Sequence, residues 1–292
     1  MEALAINLDH LGTAVEDLDA GRLAFEKLGF RMTPRSQHRG AAAPGGPVEL
    51  FGQGNHCAML EQGYLEVLGI FDRTLPTPAQ QYLDRYEGLH IVGLKPGSID
   101  RLRALARGGG ALDAPRELGR EVDFGPKGLE RRRAEFINVK FRPAVFPEAT
   151  FLYTQHLTPD VIWQPHLLAH PNRAQALQCV YICASDAQGL ADRLAGVLQV
   201  PAETVGPGLI AFRLESSSLR IVTPEAWERM FPAAPAPRTP RPVGFVVRTS
   251  SLESAVDQLD RNGIPFQRCE EGGVYVRPDF ACGNVIHFTE SH

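Results

Sequence analysis

Two histidines and one glutamate stand where their types and spacing could do chemistry. His10 lies in INLDHLGTAVEDL, an apolar stretch that reads as a strand running into a helix start, with Asp9 beside it. His90 lies in LHIVGL, and Glu66 in YLEVLGI, a carboxylate flanked on both sides by apolar residues. A buried carboxylate without a partner is costly, so a cation is expected beside it. Same-face side chains on neighbouring strands stand about 5 Å apart, close enough for these groups to share one ion. Two imidazoles and a carboxylate drawn from three strands form the facial set used by Fe(II) enzymes. One divalent ion (Fe, Mn, Ni or Zn) is the cofactor to expect.

Elements that could bring the three together recur along the chain. Strand Ile6–Val15 is followed by a helical stretch, DAGRLAFEKLGF, that Gly29 stops, and then by VELF, HCAML and YLEVLGI. The same order restarts at LHIVGL, at CVYICAS and at VGFVVRT, each with a helix and further strands behind it. The second round is stretched by a Gly/Arg-rich insertion around residues 108–135. Four βαβββ units account for the pattern most simply. The fold class is then α+β, with the units paired into two cupped mixed sheets and helices packed outside. Residues 1–157 hold the first pair, with the metal site. Residues 158–172 link the halves, and 173–292 hold a second, degenerate pair. PAAPAPRTPRP, Pro232–Pro242, reads as an extended polyproline connector.

Aligning the units on their opening strands sets His90 at the position of His10. The corresponding positions of the third and fourth units fall to Cys179 and Pro242, and His287 in NVIHF sits where Glu66 does. One such residue does not make a site, so the second half reads as scaffold or lid.

Bulk properties bound the function. The hydrophobic and charged fractions of 43% and 22% are globular, which excludes wholesale disorder. A net charge of −4 spread along the chain argues against nucleic acid, and no apolar run reaches the ~18 residues of a membrane span. MEALAINLD lacks the basic region and cleavage site of a signal peptide, and five scattered cysteines fit a reducing cytoplasm. Cys179 and Cys183 lie about 13 Å apart along one strand, too far for both to bind one ion, and read as small buried hydrophobes. A small molecule is the expected partner, and the sequence leaves a homodimer open.

Paired βαβββ units, with DHLGTAV opening the first and YLEVLGI closing it, resemble the vicinal oxygen chelate superfamily. That superfamily includes glyoxalase I, extradiol dioxygenases, methylmalonyl-CoA epimerase and bleomycin-resistance proteins. The similarity is closest to glyoxalase-like proteins of unassigned activity. The resemblance implies a divalent metal held by first-strand histidines and last-strand glutamates, with substrates chelating through adjacent oxygens. It therefore implies His10, Glu66 and His90 as ligands. The second unit's last strand, FLYTQHL, departs from the family in lacking a glutamate. There Tyr153 and Gln155 share one face and His156 takes the other unless a bulge turns it. Gln155 offers an amide oxygen as a fourth ligand, and Tyr153 or His156 could line the pocket.

The reading is a metal-dependent enzyme of isomerase, lyase or dioxygenase type, with Glu66 or a metal-bound hydroxide as base. The missing second glutamate sets isomerase or lyase chemistry ahead of dioxygenation. The rival is a binding protein of bleomycin-resistance type, which sequesters a small molecule without turnover.

Among the other candidates, His56 is expected at a solvent-exposed hairpin edge. His166 and His170, four apart between prolines, are expected on a solvated linker. Arg131–Arg133 is expected at a solvated strand end, with anion binding as the alternative.

Overall fold

The computed structural model describes residues 3–41 and 46–290. The first unit runs β1 (Ala5–Val15), α1 (Leu18–Lys27), β2 (Ser36–Ala41), β3 (Val48–Met59) and β4 (Tyr64–Ile70). A short helix α2 (Gln80–Leu83) leads to the second: β5 (Gly88–Pro96), α3 (Ile99–Arg107), β6 (Arg116–Phe124), β7 (Glu130–Lys140) and β8 (Thr150–His156). After α4 (Pro159–Ile162) comes the third: β9 (Ala174–Cys183), α5 (Ala187–Leu198), β10 (Ala202–Gly206), β11 (Leu209–Arg213) and β12 (Ser218–Val222). Helix α6 (Pro224–Met230) precedes the fourth: β13 (Arg241–Thr249), α7 (Leu252–Arg261), β14 (Phe266–Arg268), β15 (Val274–Val276) and β16 (Val285–Glu290). The fold is α+β. Among the described residues no helix is long and apolar enough to cross a membrane.

Strands assemble into two eight-stranded mixed sheets of the same topology. Their orders are β2-β3-β4-β1-β5-β8-β7-β6 and β10-β11-β12-β9-β13-β16-β15-β14. In each, two units meet through antiparallel first strands, β1 with β5 and β9 with β13. Helix starts are signalled locally, since Asp17, Ser98, Asp186 and Ser251 each accept a backbone N–H of the helix they cap. One face of each sheet carries Leu11, Leu65, Val67 and Val92, or Val180, Leu219 and Phe245, and packs on the helices. These faces merge into one core, crossed by the stacked rings of Phe30 and Phe288, 5.9 Å apart. The opposite, concave faces are left for the cups.

Several expectations are corrected here. VELF and HCAML are one strand, β3, and a further strand, β2, precedes it. The glycines between the two motifs made the run look like a loop, but they mark close approach. A Cβ on Gly52 would stand 1.7 Å from the Asp72 carbonyl oxygen, and one on Gly54 2.6 Å from that of Ser36. The 108–135 stretch contains β6 and the start of β7, paired as a hairpin. Arg131–Arg133 are, as expected, exposed at the end of a strand, the start of β7, and are compensated: Arg132 lies over Phe124, and Arg133 Nε is 3.1 Å from Glu135. His56 is buried on the helix side, with Nδ1 2.7 Å from the Thr33 carbonyl. His170 is also buried, not solvated: its Nδ1 accepts from the Arg31 N–H and its Nε2 donates to the Met59 carbonyl. The segment after β8 is thereby fastened to the first half.

Candidate active site in the first cup

Strand register decides which side chains share the concave face. On β1 and β4, His10 stands opposite Tyr64 and Gly12 opposite Glu66. Across the unit junction His10 stands opposite Gly93, and Gly12 opposite Ile91. His10, Tyr64 and Glu66 therefore face the same cup. The two glycines make room for it: a Cβ on Gly93 would lie 2.3 Å from His10 Nδ1.

Successive residues of a regular strand point to opposite faces. Asp9 and His10 do not, because the register slips between Leu8 and His10 and leaves Asp9 as the extra residue of a β-bulge. Both side chains then meet. His10 Nδ1 is 2.7 Å from Asp9 Oδ1. His156 Nε2, from the end of β8, lies 3.2 Å from the same carboxylate. A carboxylate only accepts, so His10 carries its hydrogen on Nδ1 and turns the Nε2 lone pair away from Asp9. The ring stacks on Tyr64 at 4.7 Å and 10°. Trp163 closes on His156 edge to face at 4.8 Å, with its indole N–H donated to the Leu60 carbonyl.

Charge is concentrated here. Burial alone would push Asp9 up, but the hydrogen bonds and charges of His10 and His156 outweigh it and bring its pKa to about 2. Burial alone would pull His10 down, but the Asp9 hydrogen bond and charge, with Glu66 beyond, hold it above the usual imidazole value. Burial, then Asp9 and Glu66, push the Tyr64 phenol well up. Burial likewise raises the Cys57 thiol to about 12. Tyr64 and Cys57 are neutral at ordinary pH. Glu66 accepts a hydrogen bond from Asn55, whose Oδ1 is 3.5 Å from Arg120 of β6.

The other expected residues lie elsewhere. His90 donates Nε2–H to the Tyr86 carbonyl at 2.8 Å, stacks on the Tyr86 ring at 3.9 Å, and has a buried Nδ1 without a partner. Burial, reinforced by Arg85 and Arg241, lowers its pKa to about 4. Tyr153 is in the helix-side core, where its hydroxyl donates to the Val197 carbonyl. Gln155 donates to the His156 carbonyl. Of that trio only His156 enters the cup, through Asp9.

The bulges also correct the alignment of the units. His10–Gly93 and Gly12–Ile91 are reciprocal pairs, and His90 is the bulge residue of β5 as Asp9 is of β1. The local two-fold therefore relates His10 to Ile91, and Asp9 to His90. It also relates Glu66 to Leu152, which stands opposite Gly93 on β8. In the second half the same rule gives Cys179 and Gly244, not Pro242, because Val243 is the bulge residue of β13.

The fit to a divalent ion follows from these donors. His10 Nε2 and Glu66 face one cup and suit a metal, and a histidine held through Nδ1 by a carboxylate is oriented as ligating histidines are. The second unit offers no ligand at the positions equivalent to His10 and Glu66: Ile91 and Leu152 occupy them, and the Nε2 of His90 is taken by Tyr86. Among the described residues no three His, Cys, Asp or Glu side chains are arranged to hold a metal ion. The residues present do not fit a metal held by three side chains.

With this geometry, comparison with known proteins decides the lineage. Residues 8–198 match the glyoxalase-like domain family. The chain belongs to that family. No curated protein matches it. Its fold is similar to that of a hypothetical protein from Staphylococcus aureus, with a TM-score of 0.66 and 10% identity, covering 98% of this chain and 99% of that one. A Mn(II)-bound glyoxalase from Novosphingobium aromaticivorans is similar at TM-score 0.58 and 13% identity, over 99% and 83% of the two chains. Homoprotocatechuate 2,3-dioxygenase from Arthrobacter globiformis is similar at 0.54 and 12%, over 98% and 80%. Family and fold together place this glyoxalase-like chain in the vicinal oxygen chelate superfamily.

Proposed function

We propose that the first cup is the active site of an isomerase or lyase that moves a proton on a small oxygen-rich substrate. His10 is its base. The observation that supports this is the Asp9 carboxylate, buried between His10 and His156 and brought into the cup by a bulge. Asp9 fixes the tautomer of His10 and stabilises the imidazolium formed when Nε2 accepts a proton from substrate carbon. Glu66, on the same face, adds to that stabilisation. Arg120 and Asn55 supply donors for a carbonyl oxygen that becomes anionic as the proton leaves. Neutral Tyr64 stacks on the ring and limits its rotation.

A second reading, sequestration without turnover, is favoured by Ile91 and Leu152, which replace polar residues of the family's metal set. One experiment separates the two. The protein is incubated in D₂O, with and without chelator, with α-keto aldehydes, catechols and 2-oxo acids, and exchange or turnover is followed by NMR. Exchange at a substrate carbon that survives the chelator and disappears in His10→Gln is the expected result. Stoichiometric binding with no exchange on any substrate establishes sequestration instead.

A further inference from the structure

Arg241, at the start of β13, is half-buried and carries a charge that no carboxylate answers among the described residues. Its Nε is buried without a hydrogen-bond partner. Its guanidinium lies 4.0 Å over the Tyr86 ring; burial, with the Arg85 cation adding to it, disfavours its charged form. Half-buried charges are normally paired, since desolvating one alone is costly. Two other arginines packed against the fold have their carboxylates, Arg193 with Glu148 and Arg220 with Glu271. Arg241 has none among the described residues.

The same guanidinium borders a cavity of about 350 Å³, the size of a small-molecule site. Arg277 stands at its rim, 3.4 Å from Asp279, so the cavity holds two cations against one anion. Its remaining wall is apolar and stiff: Trp227, Pro235, Pro237 and Val243. The Trp227 indole N–H is already donated to the Ala234 carbonyl, so the ring offers only its apolar surface. A fork of free N–H donors beside an aromatic and proline wall suits a planar acid group on an apolar body.

We propose that this cavity binds a small organic anion, its carboxylate or phosphate on Arg241 and its apolar part against Trp227 and the prolines. The site is distinct from the first cup and uses none of its residues. Inorganic anions alone lack the apolar half and bind far more weakly.

Calorimetric titration of the full chain tests this, with benzoate, phenyl phosphate, inorganic phosphate and uncharged benzyl alcohol as probes. The two aromatic anions distinguish carboxylate from phosphate as the preferred acid group. At least one is expected to saturate a single site, with inorganic phosphate and benzyl alcohol each weaker by about tenfold or more. Arg241→Gln is expected to weaken that binding by about tenfold or more, Arg277→Gln by about threefold, and His10→Gln not at all. No saturable binding, equal affinity for benzyl alcohol or inorganic phosphate, or affinity unchanged in Arg241→Gln overturns the proposal. Should Arg241→Gln melt before titration, Arg277→Gln at the cavity rim decides: unchanged affinity there is a negative result.

Discussion

The two cups share a backbone and differ in what fills them. In the first, the row across β1, β4 and β5 reads His10, Gly12, Tyr64, Glu66, Gly93 and Ile91. In the second, the equivalent row across β9, β12 and β13 reads Cys179, Tyr181, Ser218, Arg220, Val246 and Gly244. Gly12 and Gly93 leave volume that an imidazole and a carboxylate use. Tyr181 and Val246 consume that volume, and Trp227, Phe231 and Tyr275 complete an aromatic core on the same face. Identical register thus gathers charged side chains in one half and packs aromatic ones in the other. The choice rests on whether the central positions are glycine or bulky.

The largest effect expected from breaking this contrast is catalytic. His10→Gln should cut turnover, or the exchange in D₂O, by about 10²–10⁴-fold while leaving the melting temperature nearly unchanged. Cys179→Ser, its counterpart, should change neither rate nor exchange. Asp9→Asn separates positioning from packing through its pH profile. The rate rises with pH as His10 loses its proton, and Asp9 and Glu66 hold that pKa above the usual value. Removing the Asp9 charge should move the rising limb to lower pH and reduce the plateau. An unshifted limb would show that Asp9 does not act through His10.

The next effect is on stability and runs the other way between the halves. Tyr181 is fully buried against Trp227 and Phe231. Tyr181→Ala should cost about 3–5 kcal/mol in a denaturant melt. Gly93→Val, which installs in the first cup the residue found at its counterpart Val246, should displace the His10 ring and lower activity more than stability. Equal loss of both in the two variants would erase the distinction between cups.

A third effect is pH-dependent and belongs to His90. Its pKa is near 6.5 in the unfolded chain and about 4 in the folded one, so the unfolded state binds the proton first as pH falls. Stability should therefore fall from pH 6.5 to 4, with His90 contributing on the order of 2–3 kcal/mol. His38, His56, His170 and His287, also lowered, act in the same direction, whereas raised His10 opposes them. His90→Phe keeps the ring stack on Tyr86 and should flatten the melting-temperature profile in that window. An unchanged profile would remove His90 from the account.

The fold was legible because it rests on local signals repeated four times. Alternating apolar residues and Asp or Ser caps recur in the same order in all four units, with a glycine helix stop in three of them, and the sheets follow. Part of the candidate site's geometry was legible too: His10 and Glu66 are polar residues in apolar strands, and register brings both to one face. What the residues hid was the bulge. One extra residue in β1 turns Asp9 into the cup, and one in β5 turns His90 out of the position that pattern alignment gave it. Neither insertion leaves a mark in composition or period, since the flanking strands alternate normally on each side. His156 was placed on the correct face, opposite to Tyr153 and Gln155, but its partner Asp9 is 147 positions away along the chain. Arg120 and Asn55 were missed because β6 was read as an insertion and Asn55 lies in the glycine-interrupted centre of β3.

The smallest effect expected of the natural chain is its response to metal. His10 and Glu66 alone give a divalent ion two side chains, and ligand binding stabilises a fold only as RT ln(1 + [L]/Kd). At about 1 mM Mn²⁺, Fe²⁺, Ni²⁺ or Zn²⁺ the gain should stay below about 0.5 kcal/mol, which corresponds to a Kd no tighter than that concentration. The register supplies a sharper control. Ile91→His with Leu152→Glu places an imidazole and a carboxylate at the two-fold equivalents of His10 and Glu66. Without metal this variant should be less stable than the parent, because Leu152 is buried and a carboxylate there is desolvated. With metal at a hundred times its Kd it should regain about 2.7 kcal/mol. Tight binding by the natural chain that His10→Gln abolishes would show that a third ligand is recruited from outside the pair. A variant that gains no affinity would show that the two-fold correspondence of His10 with Ile91, and so of the cups' central rows, is misdrawn.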